Sequence, residues 1–287
     1  MKKLRISSTN NLHPREGLSP TQFVSEGLRF MKDRGFDAAD FSMKNIENLQ
    51  TEWQTVVEAA LEAGKSYGIK YEICHLPFDG KVAFEPERIP AFNEKMLRCI
   101  EAAKMLSVDY AVLHPNTWNI PIEEYDRKAQ YDSVMRHFEP FVEKAEKLGV
   151  CLAVENMRLA PTSRPAHRYC QEPEELCEIA DACGINVCWD FGHANIGSLK
   201  QSEAIAYVGK RLKVLHVNDN NKIDDDHVPP FSGKVDWHDA MKGLSDIGFS
   251  GLFNYEINTN RVPKALRDRL ADYLISAAKE IISYIKH

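Results

Sequence analysis

Short runs rich in apolar and β-branched residues recur along this chain, and between them apolar residues return every three or four positions. The first pattern suits strands buried on both faces, and the second suits helices with one buried stripe. Strands are predicted near 4–9 (LRISST), 36–43 (FDAADFSM), 70–77 (KYEICHLP), 110–116 (YAVLHPN), 150–157, 185–192, 212–219 and 251–258. Helices are predicted over 21–34, 52–67, 89–106, 126–148, 174–182, 203–209 and 237–247, and from 264 onward. Ser19-Pro20 offers a cap and a first-turn residue for the first helix, while Gly35, Gly68, Gly149, Gly184 and Gly248 offer stops. Eight strands alternating with eight helices is the count of a (β/α)8 barrel, and 287 residues is an ordinary length for one. The expected fold is α/β, a single (β/α)8 TIM barrel over residues 1–287, since no linker or low-complexity tract divides the chain. A doubly wound open sheet competes, but STNNLHPREG after the first strand holds neither GxGxxG nor a Walker sequence.

Four of the apolar runs close on a polar residue: Glu155 in VCLAVEN, Asp190 in INVCWDFGH, His216 in LKVLHVND and Glu256 in LFNYEIN. One such residue means little, because strands must end somewhere. Three carboxylates and one imidazole in succession make a first shell for a divalent cation, hard enough to favour Mn²⁺, Mg²⁺ or Co²⁺. Barrel enzymes carry their sites at the carboxyl ends of the strands, so closure would bring these residues to one mouth. His75 in ICHLP, His114 in VLHPN and His193, one DxxH step after Asp190, obey the same rule. Each has a plainer reading. A single buried glutamate can pair with an arginine, although several acids buried together without a cation would cost several kcal/mol. His75 and His114, each just before a proline-containing turn, can equally hydrogen-bond the backbone. Asp225 and His227 lie in the polar run NDNNKIDDDH, which suits a solvated loop, a second ion site or a flap over substrate. If His75, His114 and His227 join the shell, zinc comes into range.

Composition narrows the partners. Net charge is −6 with 27% charged residues, a balance that repels a polyanion, so nucleic acid is not expected. No long apolar stretch follows MKKLRISSTNN, so neither a leader nor a membrane span is read there, and a cytoplasmic location is expected. The seven cysteines are scattered and never spaced CxxC, which points to core packing and away from a disulfide framework.

The strings VLHP, VEN, WDFGHAN, LHVND, DDDHVPPFSGKVDW and NYEIN resemble the xylose isomerase-like barrel superfamily. Within it they are most similar to the sugar phosphate isomerase/epimerase group that includes ketohexose 3-epimerases and inosose-handling enzymes, with the likeness strongest from 110 to 258. The resemblance implies that Glu155, Asp190, His216 and Glu256 hold the metal; related barrels are often dimers or tetramers, which leaves a homo-oligomer open, although no surface patch for that is readable. The same superfamily contains the endonuclease IV enzymes, whose three-zinc site uses positions matching His75, His114, Glu155, Asp190, His193, His216, Asp225, His227 and Glu256. Against a nuclease stand NMRLAPTSRP after Glu155, where a glycine-rich stretch is expected, and the acidic net charge.

The activity so implied is isomerisation or epimerisation of a sugar, sugar phosphate or sugar acid by proton transfer through a cation-stabilised enediolate, with Glu155 and Glu256 as the acid–base pair. An inosose-type dehydration at the same site is the neighbouring alternative. His193, His75 and His114 are candidates to bind substrate hydroxyls. The stretch MRLAPTSRPAHRYC carries Arg158, Arg164, Arg168 and His167 with no acid, which suits contact with a phosphate or carboxylate as well as a solvated loop. Trp118 and Tyr125 are candidates for an apolar wall against the sugar. Asp236 is expected to cap a helix begun by Trp237, and His13, His137, His167, His238 and His287 carry no positional signal.

Overall fold

The computed structural model describes residues 4–260 and 262–285. Ten strands and nine α-helices are present among them: β1 Arg5–Thr9, α1 Pro20–Asp33, β2 Ala38–Ser42, α2 Trp53–Tyr67, β3 Tyr71–His75, α3 Ile89–Leu106, β4 Tyr110–Leu113, β5 Asn119–Pro121, α4 Arg127–Leu148, β6 Leu152–Glu155, β7 Ala166–Arg168, α5 Pro173–Cys183, β8 Asn186–Asp190, α6 Phe191–Ile196, α7 Gln201–Val208, β9 Leu212–His216, α8 Trp237–Asp246, β10 Leu252–Tyr255 and α9 Arg267–Ser283. Eight of the strands form one parallel sheet in the order β10-β1-β2-β3-β4-β6-β8-β9. A parallel bridge between Val217 and Tyr255 joins its two ends, with Val217 N donating to Asn254 O at 2.8 Å, so the sheet curls into the expected (β/α)8 barrel.

Side chains alternate along each strand, and here the alternation separates two cores. One set, including Phe41, Cys74, Leu113, Val154, Trp189 and Phe253, packs outward against the helices. The other, Ala38, Ile73, Val112, Ala153, Cys188, Val214 and Leu252, forms a separate apolar layer inside the barrel. Two residues further along each of those strands the interior turns polar: Asp40, His75, His114, Glu155, Asp190, His216 and Asn254. One pleat therefore divides a packed floor from a chemical mouth.

The predicted caps at Ser19 and Asp236 hold, whereas the helix predicted from 203 starts at Gln201 and the one predicted from 264 starts at Arg267. Ser19 and Gln22 form a reciprocal capping box on α1, Asp126 caps α4 through Ala129 N, and Asp236 caps α8 through Asp239 N. Two features escaped the sequence pattern. A small antiparallel ribbon pairs β5 with β7, each three residues long and too short to show a period. Helix α6 begins directly after β8 because Asp190 both ends the strand and caps the helix, accepting from His193 N at 2.7 Å. His287 lies outside the described residues.

Candidate metal centre

The four strand-end residues meet. Ligand atoms of Glu155, Asp190, His216 and Glu256 all lie within 4.8 Å of one another. The sheet register puts Asp190 beside His216, and His216 Nδ1 stands 3.1 Å from Glu155 Oε2 and 3.2 Å from Glu256 Oε2. Glu155, Asp190 and His216 are sealed from solvent, whereas a quarter of the Glu256 side chain is open to it.

Whether these residues fit a cation can be judged from what else satisfies them. Neither Glu155 oxygen and neither His216 nitrogen has an aligned hydrogen-bond partner, although all four atoms are buried. Native interiors rarely leave such atoms unmet. Asp190 is engaged at both oxygens, by His193 N and by Asn218 Nδ2 at 2.6 Å, yet each oxygen retains a second lone pair. A set of oxygens and one imidazole nitrogen crowded around a common point, with buried atoms left over, fits a divalent cation.

The surrounding imidazoles are oriented from outside. His75 Nδ1 lies 3.0 Å from Leu76 O, His193 Nδ1 lies 2.7 Å from Asn156 O, and His227 Nδ1 lies 2.8 Å from Glu256 O. A carbonyl only accepts, so in each ring Nδ1 carries the proton and Nε2 is turned inward. His75 Nε2 stands 3.8 Å from Glu155 and 3.7 Å from Glu256, and His114 Nε2 stands 3.1 Å from Glu155 Oε2. On the other side, Asp225 collects His193 Nε2 at 3.4 Å, His227 Nε2 at 3.2 Å and Arg158 Nε at 3.0 Å. Asp190, His193 and His227 form a further group of metal-competent spacing, as do His75, His114 and Glu155.

Electrostatics follow from this crowding. Burial acts to raise the Glu155 and Glu256 carboxyls, but the imidazoles together outweigh it, His216 and His114 for Glu155 and His216, His227 and His75 for Glu256, and hold both below the ordinary carboxylate range. Burial pushes Asp190 upward and His75 downward. His193 is pushed up to about 9, because Asp190 and Asp225 overcome its burial.

All of this opens into a cavity of about 290 Å³, at the small end for ligand sites and shaped for a small molecule. His75, His114, Glu155, Arg158, His193, Asp225, His227 and Glu256 line it, so Asp225 and His227 at the end of the polar run belong to the mouth, while residues 221–224 of that run are exposed. Trp118 is placed elsewhere: it stacks on Phe84 with ring centroids 3.4 Å apart and is not part of the lining, and Phe78 and Met157 supply the apolar wall instead. Tyr125 donates to Glu175 and packs edge-on against His167, which Glu175 also holds. Trp237 is buried against Phe191 as packing. His13 packs beside Phe23 and Phe30, His137 lies on α4 and His238 on α8.

Several residues that bear on the site gave no signal in the sequence reading. Asp40 lies buried in the same interior layer, accepting from Asn254 Nδ2 at 2.9 Å. Asn156 clamps the Asp190 backbone, its Oδ1 accepting from Asp190 N at 2.6 Å, and Asn218 steadies the Asp190 carboxylate. Lys44 reaches the cavity from the turn after β2. Asp40 alone was findable, as the polar member of FDAADFSM on the inward-facing parity.

Fold and site together define a class: the chain belongs to the xylose isomerase-like TIM barrel family, whose model matches residues 28–277. Among individual relatives, an uncharacterized protein of Methanocaldococcus jannaschii is 25% identical over 273 residues, 90% of this chain and 88% of that one. The inosose isomerase of Bacillus subtilis is 25% identical over 174 residues, 55% of this chain and 57% of that protein. The crystal structure of a D-tagatose 3-epimerase-like protein shares the fold with a TM-score of 0.73 at 21% identity, covering 98% of both chains. Among the described residues no helix is long and apolar enough to cross a membrane.

Proposed function

We propose that the protein is a divalent-metal-dependent isomerase or epimerase of a sugar or sugar derivative. The observation that carries this reading is the meeting of two glutamates at one imidazole: Glu155 Oε2 and Glu256 Oε2 both lie within 3.2 Å of His216 Nδ1, and both glutamates line the cavity. The names of the inosose isomerase and the tagatose epimerase-like protein point to the same chemistry.

Glu155, Asp190, His216 and Glu256 would hold the cation, with Mn²⁺, Co²⁺, Mg²⁺ or Zn²⁺ suited to the mixed oxygen and nitrogen set. A bound cation polarises a substrate carbonyl and so acidifies the neighbouring C–H. The remaining work belongs to side chains. Held as carboxylates, Glu155 and Glu256 can each accept a proton, and Glu256, the more open of the two, meets a ligand first. Returning the proton to the same carbon from the other face gives an epimer; delivering it to the adjacent carbon gives the isomer. His193, His75 and His114 present polarised ring nitrogens toward substrate hydroxyls. The further groupings around Asp225, His193 and His227 and around His75 and His114 are candidates for an additional ion.

The test is deuterium incorporation. A panel of ketoses in D₂O, with each metal added in turn, should exchange one C–H beside the carbonyl, read by NMR. Loss of water in place of exchange moves the assignment to an inosose-type dehydratase. Two or three zincs per purified chain, with cleavage of abasic DNA, would move it to phosphodiester hydrolysis. No exchange with any ketose and no metal retained would overturn it.

A further inference from the structure

Arg168 is a buried cation without a direct ion pair, Asp225 acting on it only from a distance. Its residue is 9% exposed, and among the described residues no carboxylate lies within ion-pair distance of it. Its Nη1 donates to Arg158 O at 3.1 Å, and its Nε is buried without any partner. Arg158 beside it is a second cation. Arg158 Nε meets Asp225 at 3.0 Å, but its Nη1 is likewise buried and unpartnered, and Asp225 is already shared with His193 and His227. Both arginines line the cavity, and Lys44 lines it from another loop.

Burying a guanidinium without a direct ion pair is costly, and a like charge next to it adds to the cost, which the more distant Asp225 offsets only in part. Burial, and secondarily Arg158, lowers the Arg168 guanidinium to about 10, which still leaves it charged at neutral pH. The arrangement is also built to last. Arg168 ends β7, its backbone pairs with Asn119 of β5, and Asn119 in turn exchanges two hydrogen bonds with Ala160 across the same loop, at 2.7 and 3.1 Å. Arg164, on the same loop, turns outward to Glu123 and Glu124 and is fully accounted for there. The loop thus separates one arginine for the surface from two for the cavity.

We propose that Arg158 and Arg168 form an anion subsite in the mouth of the barrel, which takes a carboxylate or phosphoryl group borne by the substrate. This deepens the sugar reading, on which the word substrate rests, by making the natural ligand a sugar acid or sugar phosphate. Planar guanidiniums with free N–H groups match either anion through paired, charge-assisted hydrogen bonds.

The experiment is calorimetric titration of the purified full-length protein with three small probes: glycerol 3-phosphate, D-glycerate and glycerol. One of the two anions should bind at least about tenfold more tightly than glycerol, and R168Q and R158Q should each erase that margin while R164Q keeps it. Preference for glycerol 3-phosphate assigns a phosphoryl group, and preference for D-glycerate a carboxylate. If neither anion exceeds glycerol, or if the margin survives in R158Q and R168Q, the subsite is overturned. Should R168Q fail to fold, R158Q and the wild-type comparison decide. Since binding is read without turnover, failure here leaves the isomerase reading intact, and absence of C–H exchange leaves the subsite intact.

Discussion

Two consecutive layers inside the same barrel have opposite natures. Ala38, Ile73, Val112, Ala153, Cys188, Val214 and Leu252 make an apolar floor, and the residues one pleat above them on the first six of these strands are Asp40, His75, His114, Glu155, Asp190 and His216. Backbone, strand and surrounding helix are common to both layers. What differs is that the upper residues, Asp40 in mid-strand excepted, stand at or just past the ends of their strands, where loops can open a cavity and where donors such as Asn156 and Asn218 can reach in. The floor supplies rigidity through dense packing, and the mouth uses that rigidity to keep like charges closer together than a flexible chain would tolerate.

The sharpest way to break the contrast is to move a charge down one pleat. V214D places a carboxylate in the dry floor, two residues below His216, with no cation nearby. We expect a loss of at least about 4 kcal/mol in urea unfolding, enough to prevent accumulation of folded protein. In the mouth, E256A should leave the fold standing but lower turnover about 10³-fold and weaken metal retention along with it, as measured by exchange in D₂O and by elemental mass spectrometry. Full turnover in that variant would remove Glu256 from the mechanism.

A subtler change tests how the mouth is braced. A Cβ on Gly192 would stand 2.0 Å from Asn218 Oδ1, so G192A must displace the amide that donates to Asp190 Oδ2. Metal affinity should fall about tenfold, the scale of lost support behind a ligand, with little change in circular dichroism. An unchanged affinity would show that Asp190 needs no such brace.

The smallest effect separates two kinds of histidine. His193, among acids, is pushed up to about 9, whereas His137, among Phe92, Phe138 and Phe141, is pushed down to about 4 by burial alone. The unfolded chain takes up a proton at His137 first, near 6.5, so the stability this residue contributes is present above that pH and is lost as pH falls toward 4. Melting curves between pH 7 and 4 should therefore be flatter for H137F than for the wild type, with the difference confined to this window. Equal slopes would mean that His137 is hydrated in the native protein.

Much of this was legible before any coordinate. The eight strand positions, the caps at Ser19 and Asp236, and the polar ends at Glu155, Asp190, His216 and Glu256 follow from alternation, short-range capping and where apolar runs stop. These are properties of neighbours in sequence, fixed by backbone geometry within a few residues. The direction of each loop side chain was not legible, because it depends on partners far along the chain. Arg158, Arg164 and Arg168 look alike in MRLAPTSRPAHRYC, yet a ribbon to Asn119 and the acids at 123 and 124 send them to different places. Trp118 looked like a wall for a ligand and found Phe84 instead.

The sequence by itself thus determined the alternation of elements, their ends and the chemical types standing at them. Only the tertiary structure decided that Glu155 and Glu256, a hundred residues apart, share one imidazole, that three histidines aim Nε2 inward, and that one buried guanidinium lacks a direct ion pair. The reason is that closure of a sheet fixes distances between strand ends through the pairing of every strand with its neighbour, a constraint that belongs to the whole barrel and to no segment of it.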